Sequence, residues 1–363
     1  MKSLVTLGAV RTIALKVLVN GKLLPGAVSA DVTQNSHYQP DTWSAEFALY
    51  APGAPSLEWW GGDDLKGALF DVQASIDGGQ GWTSLIIGEA DEIEIDPVWG
   101  SVRAKGKDLT QRLVAAKTQE AFANQTASEI ATTLAGRHGL TPQVTATTTL
   151  VKRFYAVDHD QITHDQFSRV RTEWDLLTEL ARDEGFDVFV SGTTLYFQPG
   201  VTLPGNPYTV RFDPDIRALG ATRLVLRRSL TLAKDVQVVV RSWRSREGRS
   251  FQRGSPSGST TGQPKDGVTR YVYTRPNLTE DQAQKLADQY REQITRHERT
   301  GTIECPVELA VSPRDVIQLE GVGTGWEAQP YYVGEVTRHI GQDGTEQTIA
   351  IKNHGPQTDE AAP

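Results

Sequence analysis

The sequence predicts a mainly β fold with an α/β insertion: two antiparallel β-barrel units separated by a small α/β module. Three observations lead there. Apolar residues recur at every second position through the first hundred residues and again through the last third. Between these regions the apolar period lengthens to that of a helix, with capping residues at matching offsets. The 363-residue chain also holds 33 glycines and 18 prolines, which supply the turns that many short strands require.

The first unit opens with Ile13, Leu15, Val17 and Val19, which alternate with less apolar neighbours and run into Asn20-Gly21. That pair readily takes the two positive-φ conformations of a tight hairpin. Trp43, Ala45, Phe47 and Leu49 repeat the period, as do Phe70, Val72, Ala74 and Ile76 before Asp77-Gly78-Gly79. Ile93 and Ile95 then alternate with Glu92, Glu94 and Asp96. This predicts a strand with one apolar face and one acidic face, the latter solvated or lining a channel.

Helical grammar follows. Thr126 and Glu129 are spaced as a capping box, Ile130 and Leu134 lie one turn apart, and His138-Gly139 supplies a stop. Thr172 caps with Asp175, Trp174, Leu177 and Leu180 form a buried stripe, and Gly185 ends the helix. Val188 to Val190 and Leu195 to Phe197 then pair about Ser191-Gly192.

In the last third, strands are expected at Leu224 to Leu226, Val236 to Val240, Tyr271 to Tyr273, Ile303 to Leu309, Val316 to Leu319, Tyr331 to Val336 and Thr348 to Ile351. A helix capped by Thr279 and Gln282 interrupts them. Ala283, Leu286, Ala287, Tyr290 and Ile294 form its stripe, and it ends near Gly301. Glu247 to Asp266, rich in Ser, Gly, Thr and Pro, reads as a surface loop. The expected domains are therefore residues 1–106, 107–212 and 213–354, the last with an inserted helix at 279–299, and a polar tail at 355–363.

A net charge of −8 argues against a whole-surface nucleic-acid binder, which needs a basic face. The charge is uneven. Arg217 to Arg253 holds ten Lys/Arg against two acids, whereas Glu304 to Pro363 holds ten acids against three Lys/Arg, an asymmetry that suggests subunit or partner contacts. Cys305 is the only cysteine, which excludes an internal disulfide and a Cys-x-x-Cys metal site, and its surroundings read as a strand in which it acts as a small apolar residue. No stretch approaches the roughly 20 apolar residues of a membrane helix. Met1 to Val10 lack the apolar core of a secretory signal, so synthesis in a cytoplasm is expected.

Three stretches carry a resemblance: Ala104-Lys105-Gly106-Lys107-Asp108-Leu109-Thr110, the capped helix from Thr126, and Thr172 to Phe197, spelled TEWDLLTELARDEGFDVFVSGTTLYF. Val311-Ser312-Pro313-Arg314-Asp315-Val316-Ile317 also agrees, together with Tyr331-Tyr332-Val333-Gly334-Glu335-Val336-Thr337-Arg338-His339 and Asp343-Gly344-Thr345-Glu346-Gln347-Thr348. In these stretches the sequence resembles bacteriophage tail baseplate hub proteins of the late control protein D family. The resemblance implies two tail-tube-like barrels per chain and a homotrimer. Its six barrels would form a pseudo-sixfold ring, joining the tail tube or a distal tail protein to a spike or tip protein among other baseplate proteins. It implies a virion protein, made in a host bacterium, through which DNA passes without specific binding.

In such a ring, Glu92, Glu94 and Asp96 are candidates to face the lumen, where carboxylates repel phosphates. An ordinary solvated outer face is the competing reading. Arg241, Arg244, Arg246 and Arg249 are candidates for partner contacts, because guanidinium groups pair strongly with acidic surfaces. A nucleic-acid patch competes with that assignment.

No catalytic residue, cofactor or metal ligand is expected. Asp158-His159-Asp160 with His164 and Asp165 holds metal-ligand types but lacks helical ligand spacing. Gly321-Val322-Gly323-Thr324-Gly325 lies between strands, with neither a following Lys-Ser/Thr nor a helix to bind phosphate. Two other functions compete: a tail-associated peptidoglycan hydrolase using a carboxylate pair, and a surface carbohydrate-binding protein using exposed indoles such as Trp59-Trp60. Trp43, Trp82, Trp99 and Trp174 sit in strand or helix patterns and are expected in the core. A fused hub and spike would need a long C-terminal β needle, and no such pattern follows Ile351.

Overall fold

The computed structural model describes residues 2–3, 11–36, 38–118, 120, 122, 124–148, 150–151, 171–200, 207–213, 218–219, 221–230, 236–244, 249–256, 268–275, 278–295 and 298–353. The protein is mostly β, with a few helices, and most of its strands join one large, largely antiparallel sheet.

The first unit contains β1 (Ala14–Val19), β2 (Lys22–Leu24), β3 (Ala27–Asn35), β4 (Thr42–Ala48), β5 (Leu69–Ser75), β6 (Thr83–Asp96) and β7 (Ser101–Asp108). Asn20 and Gly21 take φ of 49° and 78°, so β1 turns directly into β2. The period-two residues point inward as expected. Val17, Trp43, Ala45, Phe47, Phe70, Val72 and Ala74 are buried in one core, where the Trp43 and Phe70 rings lie 5.0 Å apart. Burial of each large side chain stabilises the fold by about 1.5–3 kcal/mol. Gly106 lies where β7 crosses β6 closely. A Cβ there would collide with Glu89 O, and one on Gly88 would collide with Lys107 O. Leu109, fully buried next door, already belongs to the core of the middle module.

That module packs α1 (Ala127–Arg137) and α2 (Glu173–Glu184) on β8 (Thr141–Val144), β9 (Phe186–Ser191) and β10 (Thr194–Pro199). Both capping boxes form. Thr126 N donates to Glu129 Oε2 (2.8 Å) and Glu129 N to Thr126 Oγ1 (3.3 Å), while Thr172 N donates to Asp175 Oδ2 (3.2 Å) and Asp175 N to Thr172 Oγ1 (3.0 Å). Ile130, Leu134, Trp174, Leu177 and Leu180 are buried, and Gly185 closes α2 in the left-handed conformation.

The chain continues through β11 (Tyr208–Asp213), β12 (Arg223–Arg228), β13 (Val236–Arg244), β14 (Arg249–Ser255), β15 (Thr269–Thr274) and α3 (Glu280–Thr295), then β16 (Arg299–Cys305), β17 (Val316–Glu320), β18 (Tyr331–Gly341) and β19 (Gly344–Asn353). Cys305 is buried in β16, where burial pushes its thiol up to about 12, so it behaves as an apolar residue.

Several expectations need correction. The third helix is described as far as Thr295, and Gly301 lies inside β16 rather than at a helix end, since a Cβ there would press on Ile351 and Leu226 of the flanking strands. Within the presumed loop at Glu247 to Asp266, Arg249–Ser255 is a strand along β13, with Phe251 packed on the core between that sheet and α3. Residues 245–248 and 257–267 lie outside the described residues. The sheet β14-β13-β15 with α3 makes a separate small core, which the sequence reading did not distinguish. A one-turn helix, Thr324–Glu327, follows the glycines at 321–323, and Glu327 Oε1 accepts from Gly323 N (2.9 Å), so its own acid occupies that end.

The two β units share a sheet. Glu335–Gly341 of β18 pairs antiparallel with Asn35–Ser29 of β3, which gives the strand order β12-β16-β19-β18-β3-β4-β7-β6-β5-β1-β2.

Candidate functional site

Because side chains alternate along strands, this shared sheet has one face toward the cores and one face away from them. The outward face is mostly polar, with Val225 and Ala350 among its few apolar residues. One cross-strand row reads Arg223, Glu304, Thr348, Thr337, Thr33, Thr42, Lys107, Glu89. A second reads Glu346, His339, Asp31, Ser44, Lys105, Glu92, and a third ends Ser29, Glu46, Arg103, Glu94.

Glu92 and Glu94 are exposed on this face of β6, with Ile93 and Ile95 packed against the core. Their charge is not a bare acidic stripe. Lys105 Nζ lies 3.0 Å from Glu92, Lys107 Nζ lies 2.6 Å from Asp91, and Arg103 reaches Glu46 at 3.6 Å. Glu94 makes no ion pair among the described residues. Asp96 has a different role: its Oδ1 accepts from Val98 N (2.9 Å) and Trp99 N (2.8 Å), which shapes the β6–β7 turn. The alternating pattern made the acids visible in the sequence. The compensating cations of β7 were missed because pairing between strands is needed to see them.

His339 bridges the seam between the two units on the same face. Its Nδ1 meets Asp31 Oδ1 at 2.7 Å and its Nε2 meets Asp343 Oδ1 at 3.1 Å. Hydrogen bonds to Asp31 and then Asp343 raise its pKa. Beneath it, on the inward face, Arg338 is fully buried. It donates to Gln347 Oε1 (3.2 Å), Gln34 Oε1 (2.6 Å), Glu308 O (3.3 Å) and Val311 O. Burial lowers its pKa to about 10.

Both ends of the eight-strand run from β12 to β6 are open. β12 pairs only with β16 among the described residues, and its free edge carries Arg223, Arg227 and Arg228. β5 covers β6 only from Thr83 to Glu89, so among the described residues Ala90 to Asp96 is unpaired on that side and carries Asp91, Glu92, Glu94 and Asp96. Unpaired strand edges are templates for further strands.

Other candidates fare unevenly. Arg241 is exposed on β13, the side chains of Arg244 and Arg249 are not described, and Arg246 lies outside the described residues. Asp158, His159, Asp160, His164 and Asp165 also lie outside them. Among the described residues no group of three or more His, Cys, Asp or Glu could hold a metal ion, and no helix is long and apolar enough to cross a membrane. Trp60 is buried beside Phe47, with Trp59 edge-on against it, so the pair is no sugar platform. Trp43 and Trp174 are in the core as expected. Trp82 is not, and Trp99 is 86% exposed, because it lies with Val98 in the turn between β6 and β7.

No protein-family model matches the sequence, and no curated protein matches it. Solved structures do. A tail protein from Neisseria meningitidis MC58 superposes with a TM-score of 0.67 at 17% identity, covering 97% of this chain and 99% of that one. The 43 kDa tail protein of prophage MuSo2 from Shewanella oneidensis gives 0.64 at 12% identity, covering 94% and 98%. A component of the E. coli type VI secretion system, described as similar to T4 bacteriophage tail proteins, gives 0.53 at 10% identity, covering 94% and 78%. Over nearly its whole length, the chain has the fold of phage tail proteins and of a related secretion-system component.

Proposed function

We propose that the protein is the structural baseplate hub of a phage or phage-like tail: a homotrimeric, pseudo-sixfold ring that joins the tail tube to the central spike and lets DNA pass. The observation that carries this reading is the eight-strand polar face, continuous across two β units and ending in one basic and one acidic open edge. A head-to-tail contact between unlike edges makes a ring when its rotation closes. Three copies would place about 24 strands around the axis, more than the 16–18 that leave an aqueous channel in porins.

In such a ring, Glu92, Glu94 and Asp96 lie on the lumen side or its edge. The bore is then a lattice of opposed charges and hydroxyls with little net attraction for phosphate. Residues 1–106 and 213–354 supply the two tube-like units and 107–212 the module between them. Arg241 and the neighbouring arginines face other baseplate proteins. The protein acts in the virion and without catalysis.

Light scattering over a concentration series tests the reading. A mass near three times 39.8 kDa, with a central channel on imaging, supports it. A strict monomer that cleaves purified cell wall overturns it in favour of a hydrolase.

A further inference from the structure

Where the middle module meets both β units, a small cavity is lined by polar groups from all three, among them Asn35, Asp41, Asp108, Thr110 and Arg314. Asp41 precedes β4 and Asp108 ends β7, and the two are joined by Asp108 N donating to Asp41 O (2.9 Å). Asp41 Oδ1 accepts from Asn35 N (2.7 Å) and Asp108 Oδ2 from Thr110 Oγ1 (2.8 Å). Asp108 is buried, and its Oδ1 has no hydrogen-bond partner. From the third unit comes Arg314, held at φ 80°, its guanidinium 3.6 Å over the Phe189 ring and 3.8 Å from Asp187 of β9. Among the described residues, Tyr38 is the remaining titratable group lining the cavity. Its hydroxyl donates to Phe186 O (3.0 Å), and Arg182 lies 4.9 Å from its ring.

The cavity therefore gathers two carboxylates beside one arginine that Asp187 already shares. Two carboxylates in one desolvated site cannot both ionise cheaply. A hydrated cation needs several oxygen ligands and would stand beside a guanidinium, whereas a proton needs no added space.

We propose that Asp41 and Asp108 form a proton-dependent latch that holds the middle module on the two β units tightly at mildly acidic pH and loosens as pH rises through neutrality.

Burial pushes the Asp41 carboxyl up to about 7 against the pull of Asn35 and Arg314, and burial followed by the charge of Asp41 drives Asp108 well above the usual carboxylate range. The sign follows. A carboxyl whose folded pKa is raised binds its proton more tightly in the closed state than in the opened one. Closure is thus favoured most below the ordinary carboxylate range and progressively less as pH climbs toward the raised values.

Hydrogen exchange of the whole protein, corrected for the intrinsic pH effect, tests this at the hydrogen-bonded amides of Asn35, Asp108 and Val188 to Val190. The opening equilibrium is expected to rise by up to about tenfold per pH unit for each proton lost between about pH 5 and about pH 8. The Asp41→Asn, Asp108→Asn double variant, which mimics the protonated pair, should be flat. An unchanged slope in that variant, a flat wild type, or a wild-type slope abolished by magnesium or calcium would each overturn the latch. Should the variant not fold, carboxyl ¹³C shifts of the wild type decide. Titration of both aspartates in the ordinary range rejects the proposal, and titration near neutrality or above supports it.

Discussion

Arg338 Nη1 donates to Gln34 Oε1 across 2.6 Å, which ties the inward side of β18 to that of β3 although the two residues are 304 positions apart. Among the described residues no carboxylate hydrogen-bonds this buried guanidinium; its acceptors there are two amides and two carbonyls. It acts as a rivet between the β units, satisfied entirely by neutral acceptors.

Arg338→Met keeps most of the volume but orphans these acceptors in the core. A loss of about 3 kcal/mol is expected, since each unsatisfied buried group costs about 1–3 kcal/mol. Denaturant unfolding measures it. Arg338→Lys should fall between the two, because an ammonium cannot reproduce the fork geometry.

His339 sets a pH trend of opposite origin to the aspartate pair. Its folded pKa is raised by Asp31 and Asp343, so its contribution is full below the unfolded value and is lost as pH rises through the folded one. Thermal melts from about pH 6 to about pH 9 should decline less in His339→Gln than in the wild type. Equal slopes would show that the bridge adds nothing to the seam.

Removing the hydroxyl of Thr172 leaves the first turn of α2 uncapped. Thr172→Ala should cost about 1 kcal/mol, read from chemical denaturation, with helix content otherwise kept.

The open edges make a reciprocal test. Glu94→Lys should abolish the proposed ring while leaving the melting temperature nearly unchanged, because an exposed substitution shifts stability by about 0.5 kcal/mol or less. Adding Arg227→Glu to the same chain should restore the trimer mass, if the two edges meet.

What the sequence made legible was local. Capping boxes, the Asn20-Gly21 hairpin and the alternating core positions depend on residues a few places apart, and each formed as read. The seam between Asp31 and His339 depends on register between strands some 300 residues apart, which no local pattern encodes. Composition misled at Arg249–Ser255, where a free edge of β13 outweighed a loop-like sequence. Periodicity misled at Trp99, which continues a strand pattern into an exposed hairpin tip. The carboxylate pair at Asp41 and Asp108 escaped notice because each looks like an ordinary turn acid until folding brings them together.

The shared sheet also constrains how the chain can be made. β3 is synthesised near the beginning, yet the strand that covers its edge, β18, emerges some 300 residues later. At about 5–20 residues per second the ribosome leaves that edge uncovered for roughly 15–60 s. Such distant pairing is slow to form, and an unpaired edge recruits other chains. Expression yield should therefore depend on nascent-chain protection of Ala27–Asn35, and a chain stalled before β18 is an aggregation seed rather than a half-finished subunit.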